Sequence, residues 1–278
     1  MNKPLLSIVI ANYNYGRFLE TAIKSVVEQD GFDNCELIIV DGGSTDNSVE
    51  IIKKYEDKIA WWVSEKDKGQ SDAFNKGFAH ARGRLGCWVN ADDLLLPGTL
   101  RAVIQCIEKN PQCEWIAGGT IFVDPNLKVV MARIGSSVSF RLQRILCGSG
   151  CTMVGGPSSF FSISRLKEVG GFDLSLNYTM DGDLWYRFIM AGMRIIHVPK
   201  YFWGFRIHEA SKTSHSISSA KSLVFQYEDE RLRKLVGWSA SKVKLAHLVL
   251  RIIRILNGSI ICSIFFTKCK RGKYVFDD

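Results

Sequence analysis

"LGCWVNADDLLLPG", residues 85–98, sets the reading of the chain. An apolar run starting at Leu85 ends in Asn90-Ala91-Asp92-Asp93, and a second apolar run follows before Pro97-Gly98 breaks the chain. Two adjacent carboxylates at the tip of a buried strand repel each other and are costly to desolvate, so a positive partner is expected there. Similar apolar runs occupy residues 5–11 (LLSIVIA), 36–41 (ELIIVD) and 59–63 (IAWWV), and three of the four runs are rich in Ile and Val. Amphipathic patterns lie between them at 16–30, 46–55 and 70–81. Strands alternating with helices predict an α/β fold with a mostly parallel sheet flanked by helices. The strand ends carry Asn12-Tyr13-Asn14, Asp41-Gly42-Gly43 and Asn90-Ala91-Asp92-Asp93, which is the sheet edge where ligands bind in open α/β folds.

Further along, a helix is predicted after Pro97 as far as Lys109, and a hairpin from 114–124 and 128–134 around "PNL". A helix at 139–147, a Gly-rich loop at 148–157, a strand in "SSFFSI", a helix at 180–192 and a strand "RIIHV" follow. The 278-residue chain contains no GxGxxG or Walker A loop, so dinucleotide and P-loop binding are unsupported.

Charge is unevenly placed. Residues 231–278 hold 11 of the 36 Lys/Arg but 2 of the 28 Asp/Glu, which leaves the preceding body near neutrality. A neutral body with a basic, apolar tail points to an anionic membrane face rather than to nucleic acid. In the tail Lys244, His247, Arg251, Arg254 and Gly258 form a narrow stripe among Leu, Ile and Val. This predicts a basic amphipathic helix, lying in a membrane interface or packed on the body or another subunit. The expected division is a catalytic body at 1–215 and a helical tail at 216–278. The N-terminal apolar run is too short for a secretory leader, so a cytoplasmic placement at the inner face of the membrane is expected, with the eight cysteines reduced.

Two stretches carry chemistry. Asp92 and Asp93 offer oxygen ligands to a hard divalent cation; alternatively Asp93 caps the next helix and Asp92 is solvated. In "GGFDLSLNYTMDGDLWYRF" (170–188), Asp181 and Asp183 stand at a helix start, where the macrodipole keeps a carboxylate ionised, with Tyr178, Met180 and Trp185 placed to wall a pocket. Favourable N-terminal charge is the commoner reason for two acids at a helix start.

Taken in order, "SIVIANYNYGRFLETAIKSVVEQ", "ELIIVDGGSTDNSVEII", "EKDKGQSDAFNKGFAHARG", "NADD" and the 170–188 segment resemble glycosyltransferase family 2 over roughly residues 4–210. The resemblance implies a GT-A fold and an inverting transfer from a nucleotide-sugar, a UDP-sugar first, to a glycan or lipid-linked acceptor. It implies that Ala11, Tyr13 and Asp41 hold the nucleotide base and that Gln70 and Asp72 line its pocket. Asn90 and Asp92 would take the acidic positions of the family's D-x-D motif, with Asn90 at the ribose and Asp92 on Mn²⁺ or Mg²⁺. Asp181 falls on the catalytic base, and His208 is a candidate further metal ligand or a satisfied core histidine. Asn90 departs from the first acid of the motif, and Met180 stands where many members have Glu. The rival expectation is a catalytically silent subunit that binds a nucleotide-sugar or glycan and is anchored by the tail.

Overall fold

A computed structural model of the chain describes residues 3–147, 154–211, 220–235 and 237–276. The first part of the expected Gly-rich loop, residues 148–153, lies outside them. A parallel core forms first in the chain: β1 (Leu6–Asn12), β2 (Cys35–Asp41), β3 (Ile59–Ser64) and β4 (Leu85–Asn90), ordered β3-β2-β1-β4. Helices α1 (Gly16–Val27), α2 (Ser48–Lys54) and α3 (Gln70–His80) are the crossovers. The short β5 (Leu94–Leu95) leads into α4 (Thr99–Lys109). Then come β6 (Trp115–Val123), β7 (Val129–Arg133), α5 (Phe140–Cys147), β8 (Ser159–Ser162), α6 (Ile163–Glu168), α7 (Met180–Met190) and β9 (Ile195–Arg206). These strands extend the sheet beyond β4 as β8-β6-β9-β5, with β7 antiparallel to β6. Among the described residues the result is a nine-stranded mixed sheet.

Period-two burial explains the layering. Leu6, Ile8 and Ile10 of β1 pack with Leu19, Ile23 and Val26 of α1 and with Leu100 and Val103 of α4. Val9 and Ile38 face the other way, onto Phe74 and Phe78 of α3. There α3 sits so close that a side chain at Gly77 would meet Val9 Cγ1 at 2.3 Å. The second face continues into an aromatic stack in which the Trp185 ring lies 5.3 Å from Trp88 and 4.9 Å from Trp115.

Two elements differ from the sequence expectation. "RIIHV" is the first half of the twelve-residue β9. Pro199 cannot donate to a sheet ladder, and the pairing with β6 slips around Gly119 before resuming at Thr120↔Trp203. The described residues of the tail form three helices: α8 (Ala220–Leu235), α9 (Ala240–Leu256) and α10 (Ser259–Lys270), the last two bent by 71° at Asn257-Gly258. Gly258 has φ +74°, a left-handed conformation that a glycine adopts without strain and that ends α9. No single helix among the described residues is long and apolar enough to cross a membrane.

Candidate active site

Strand register brings the polar ends level: Asn12 pairs with Asp41, Ala11 with Asn90, and Asp41 with Ser64. Above this edge lies a cleft of about 460 Å³, within the range of small-molecule sites. Ala11, Tyr13, Gln70, Asn90, Asp92 and Asp181 all line it. Asp92 and Asp181, 89 residues apart in sequence (181 − 92), therefore open on one cavity.

The paired acids behave differently. Asp93 is 1% exposed; its Oδ1 accepts from the Arg206 backbone N–H (3.0 Å) and its Oδ2 from Asn90 Nδ2 (2.7 Å). Burial, reinforced by the Asp92 charge, pushes the Asp93 carboxyl well above the usual carboxylate range. Asp93 is thus a structural strut between β4 and β9 and does not cap a helix, while Asp92 keeps access to the cleft. His208 Nε2 lies 3.0 Å from Asp92 Oδ2. The imidazole is fixed between Tyr15 (ring centroids 5.8 Å) and Phe18 (4.7 Å), and Tyr15 Oη donates to the carbonyl of Ala210 at 2.9 Å. Arg206, buried with its guanidinium 4.5 Å over the Phe18 ring, adds positive charge behind the two acids, although burial lowers its own pKa.

Asn90 spans the site floor: Oδ1 accepts from Gln70 Nε2 at 2.8 Å while Nδ2 donates to Asp93. An aspartate at 90 would face the buried Asp93 carboxylate at that distance, which gives a physical reason for the amide. Asp181 accepts from the Gly182 N–H at 2.7 Å, and Gly156 admits it closely: a β-carbon there would stand 3.5 Å from Asp181 Oδ2. Its neighbour Asp183 is turned away into a pair with Arg187 (2.5 Å).

Three expected contacts are not at the cleft. Asp41 is fully buried; it accepts from Asn12 Nδ2, the Ser44 N–H and hydroxyl, and the Ser64 hydroxyl, so it ties together the ends of β1, β2 and β3. Asp72 accepts from the Lys68 N–H (3.0 Å) and lies 3.6 Å from Lys76 Nζ, so it fixes the turn into α3. Trp185, 1% exposed, belongs to the aromatic stack rather than to the pocket wall. A polar or aromatic residue beside a site also satisfies local needs, and spacing does not tell the two apart.

The sequence reading also missed a residue. Glu228 of α8 is 2% exposed and accepts from the N–H groups of Asn177 (2.7 Å), Tyr178 (2.9 Å) and Thr179 (3.2 Å) and from the Thr179 hydroxyl (3.3 Å). It clamps the turn that launches α7 and its Asp181. Nothing in the local pattern of α8 marks a partner about 50 residues away.

The donor set suits a cation completed by substrate. Among the described residues no group of three or more His, Cys, Asp or Glu side chains is gathered for a metal. One carboxylate and one imidazole converge, however, and hard divalent ions commonly take one or two carboxylates plus substrate phosphates.

The family model for glycosyl transferase family 2 matches residues 7–170. An uncharacterized glycosyltransferase of Rickettsia typhi is 29% identical over 226 residues, covering 77% of this chain and 68% of the relative. One from Mycobacterium tuberculosis is 31% identical over 180 residues, covering 64% and 66%. In fold, the chain is similar to Staphylococcus aureus TarS 1-349 crystallised with UDP-GlcNAc (TM-score 0.66, 20% identity, 83% of this chain) and spans 66% of that chain. It is also similar to the Pyrobaculum calidifontis mannosyltransferase PcManGT in complex with GDP-Man and Mn²⁺ (TM-score 0.61, 17% identity, 97% of this chain and 76% of that one).

Proposed function

The chain belongs to glycosyl transferase family 2, and from that premise we propose that it moves a sugar from a UDP-sugar to a hydroxyl of a surface-glycan precursor, free or lipid-linked, with inversion. The observation that carries this reading is the convergence of Asp92 and Asp181 on one cleft of suitable volume. The UDP preference draws on the donor of TarS, the mannosyltransferase being the GDP counterpart.

Asp181 takes the proton of the acceptor hydroxyl as that oxygen bonds to the anomeric carbon and the bond to the diphosphate breaks. A single carboxylate base with no second nucleophile gives one displacement and hence inversion, by analogy with inverting glycosidases. Asp92, steadied by His208, would hold Mn²⁺ or Mg²⁺, which when bound neutralises charge developing on the leaving diphosphate. Tyr13, 58% exposed at the cleft, offers a ring face to the base, and Asn90, with Ala11 beside it, presents its carbonyl edge to the ribose while Gln70 holds its orientation. Asp41 and Asp72 act from behind, by holding the loops in place. The catalytic body is taken as 1–215 and the remainder as a tail that keeps the enzyme peripheral to the inner face of the cytoplasmic membrane.

A donor screen tests the reading: purified protein with each of several UDP- and GDP-sugars, with Mn²⁺ or Mg²⁺, followed by release of nucleoside diphosphate. Release from UDP-sugars that stops with chelator is the expected result; release from GDP-sugars alone, or none from any donor, would reject the donor assignment.

A further inference from the structure

Helix α10 is built inside out for a helix in water. Its small hydroxyl residues Ser259, Ser263 and Thr267, spaced by four, form the face turned inward onto the protein. Thr267 Oγ1 accepts from the Ala132 N–H of β7 (2.9 Å), Ser263 Oγ from the Ile134 N–H (3.1 Å), and Ser259 Oγ lies 2.8 Å from Ser136 Oγ. The first two bonds cap outward N–H groups in and just beyond the edge strand β7, which would otherwise be open to pairing. The chain after α10 reinforces the dock: Gly272 N–H donates to the Val129 carbonyl and Val275 N–H to that of Leu127, each at 2.8 Å.

At 100° per residue, the side opposite that hydroxyl stripe carries Ile261 and Phe265, with Ile264 on its flank. They are 64%, 69% and 51% exposed. In α9, Ala246 is buried and packs with Leu146 of α5, yet Leu248 and Ile252 stay about half exposed. Helix α10 thus spends its hydroxyl face on the protein and shows aliphatic and aromatic residues outward, while α9, which packs Ala246, Val249 and Leu250 inward, leaves Leu248 and Ile252 outward among basic residues. An exposed apolar surface of this kind marks an interaction site.

Charge decides the occupant. Residues 237–276 contain eight Lys/Arg and no Asp/Glu. Lys268, Arg271 and Lys273 are exposed at the end of α10, and Lys242 and Lys244 at the start of α9. A second copy of this chain would bring the same uncompensated positive charge to the contact. We propose that α9 and α10 form a bent, monotopic docking surface that lies in the headgroup region of an anionic bilayer, with Ile261, Ile264 and Phe265 entering the acyl boundary and the flanking basic residues meeting lipid phosphates. Neither helix alone is long and apolar enough to span the bilayer. Only β6 stands between β7, on which α10 rests, and the end of β9 that brings Trp203 and Phe205 to the cleft. Docking therefore keeps the cleft near the lipid surface. The inference deepens the membrane placement above, and its failure is distinguishable from failure of the transferase reading, because vesicle binding and donor turnover are separate readouts.

The test is co-sedimentation of the full chain with phosphatidylcholine vesicles, with and without phosphatidylglycerol, at low and high salt. Because each basic residue near an anionic surface is worth about fivefold in partition, at least a tenfold preference for the anionic vesicles is expected, lost at high salt. The double variant Ile261→Glu/Phe265→Glu should lower binding at least tenfold with donor turnover unchanged. Equal binding by that variant, or no binding by the wild type, overturns the proposal. So does a dimer in light scattering that the same substitutions dissociate, since the face would then belong to a second copy.

Discussion

Asn90→Asp places an acid where the family resemblance leads one to expect it, and it should harm this protein. Asn90 Nδ2 donates to Asp93 Oδ2 at 2.7 Å, and Asp93 is 1% exposed. The substitution removes a hydrogen bond to a charged group, about 1.5–3 kcal/mol. It also sets two carboxylates about 3 Å apart, where unit charges at an effective dielectric of about 20 repel by roughly 5 kcal/mol. Proton uptake caps that repulsion, because holding one carboxylate protonated at neutral pH costs about 4 kcal/mol at most and Asp93 is already pushed toward the protonated form. A shared proton also restores one bond between the two groups, so the net loss is about 2–4 kcal/mol. Denaturant unfolding at neutral pH in chelator gives the value directly. Asn90→Ala, which removes the bond without adding charge, should fall between the variant and the wild type. If Asn90→Asp is as stable as the wild type, or more stable than Asn90→Ala, the reasoning about Asn90 and Asp93 is wrong.

Glu228→Gln turns one acceptor oxygen into a donor facing N–H groups, and should cost roughly 2–4 kcal/mol. At temperatures where it remains folded it should lower kcat with little change in donor affinity, because the clamp acts on the turn before Asp181; an unchanged kcat would reduce Glu228 to a purely structural role. Asp92→Ala and His208→Ala should each raise the Mn²⁺ concentration for half-maximal turnover about tenfold or more, and a titration curve that does not move would remove that residue from the metal. The ring nitrogens of His197 are buried without hydrogen-bond partners, and burial lowers its pKa to about 4. The unfolded chain binds this proton at about pH 6.5, so His197 contributes stability above that pH that is lost as pH falls toward 4, at most about 3 kcal/mol. His197→Phe should flatten the pH dependence of unfolding in that window.

Much of the fold was legible because its signals are local. Apolar runs with polar ends identify β1, β2 and β4, and the 3.6-residue periodicity of α1 and α4 survives into their buried faces. The element boundaries moved by a few residues; α1, for example, stops at Val27 instead of running to residue 30. What could not be read depends on long-range satisfaction. Asp41 looks like a ligand-edge acid, but its four donors come from β1, the loop after β2 and the end of β3. Trp185 follows Asp181 by four residues, yet α7 turns it into the core. The tail's hydropathy predicted an amphipathic helix, whereas the inverted polarity of α10 follows from the edge of β7, which no tail pattern contains. His208, in contrast, was expected either to satisfy the core or to bind metal, and it is both buried and 3.0 Å from Asp92.

Asp181→Asn tests the central claim most directly, because it removes the proton acceptor while leaving the shape of the cleft. Donor binding by calorimetry and transfer to an acceptor should be measured on the same preparation. Unchanged donor affinity with turnover reduced at least a hundredfold is the predicted result, since general base catalysis contributes about 10²–10⁴-fold. Turnover within a few fold of wild type at unchanged affinity would contradict the assignment of Asp181 as the base and, with it, the single-displacement mechanism.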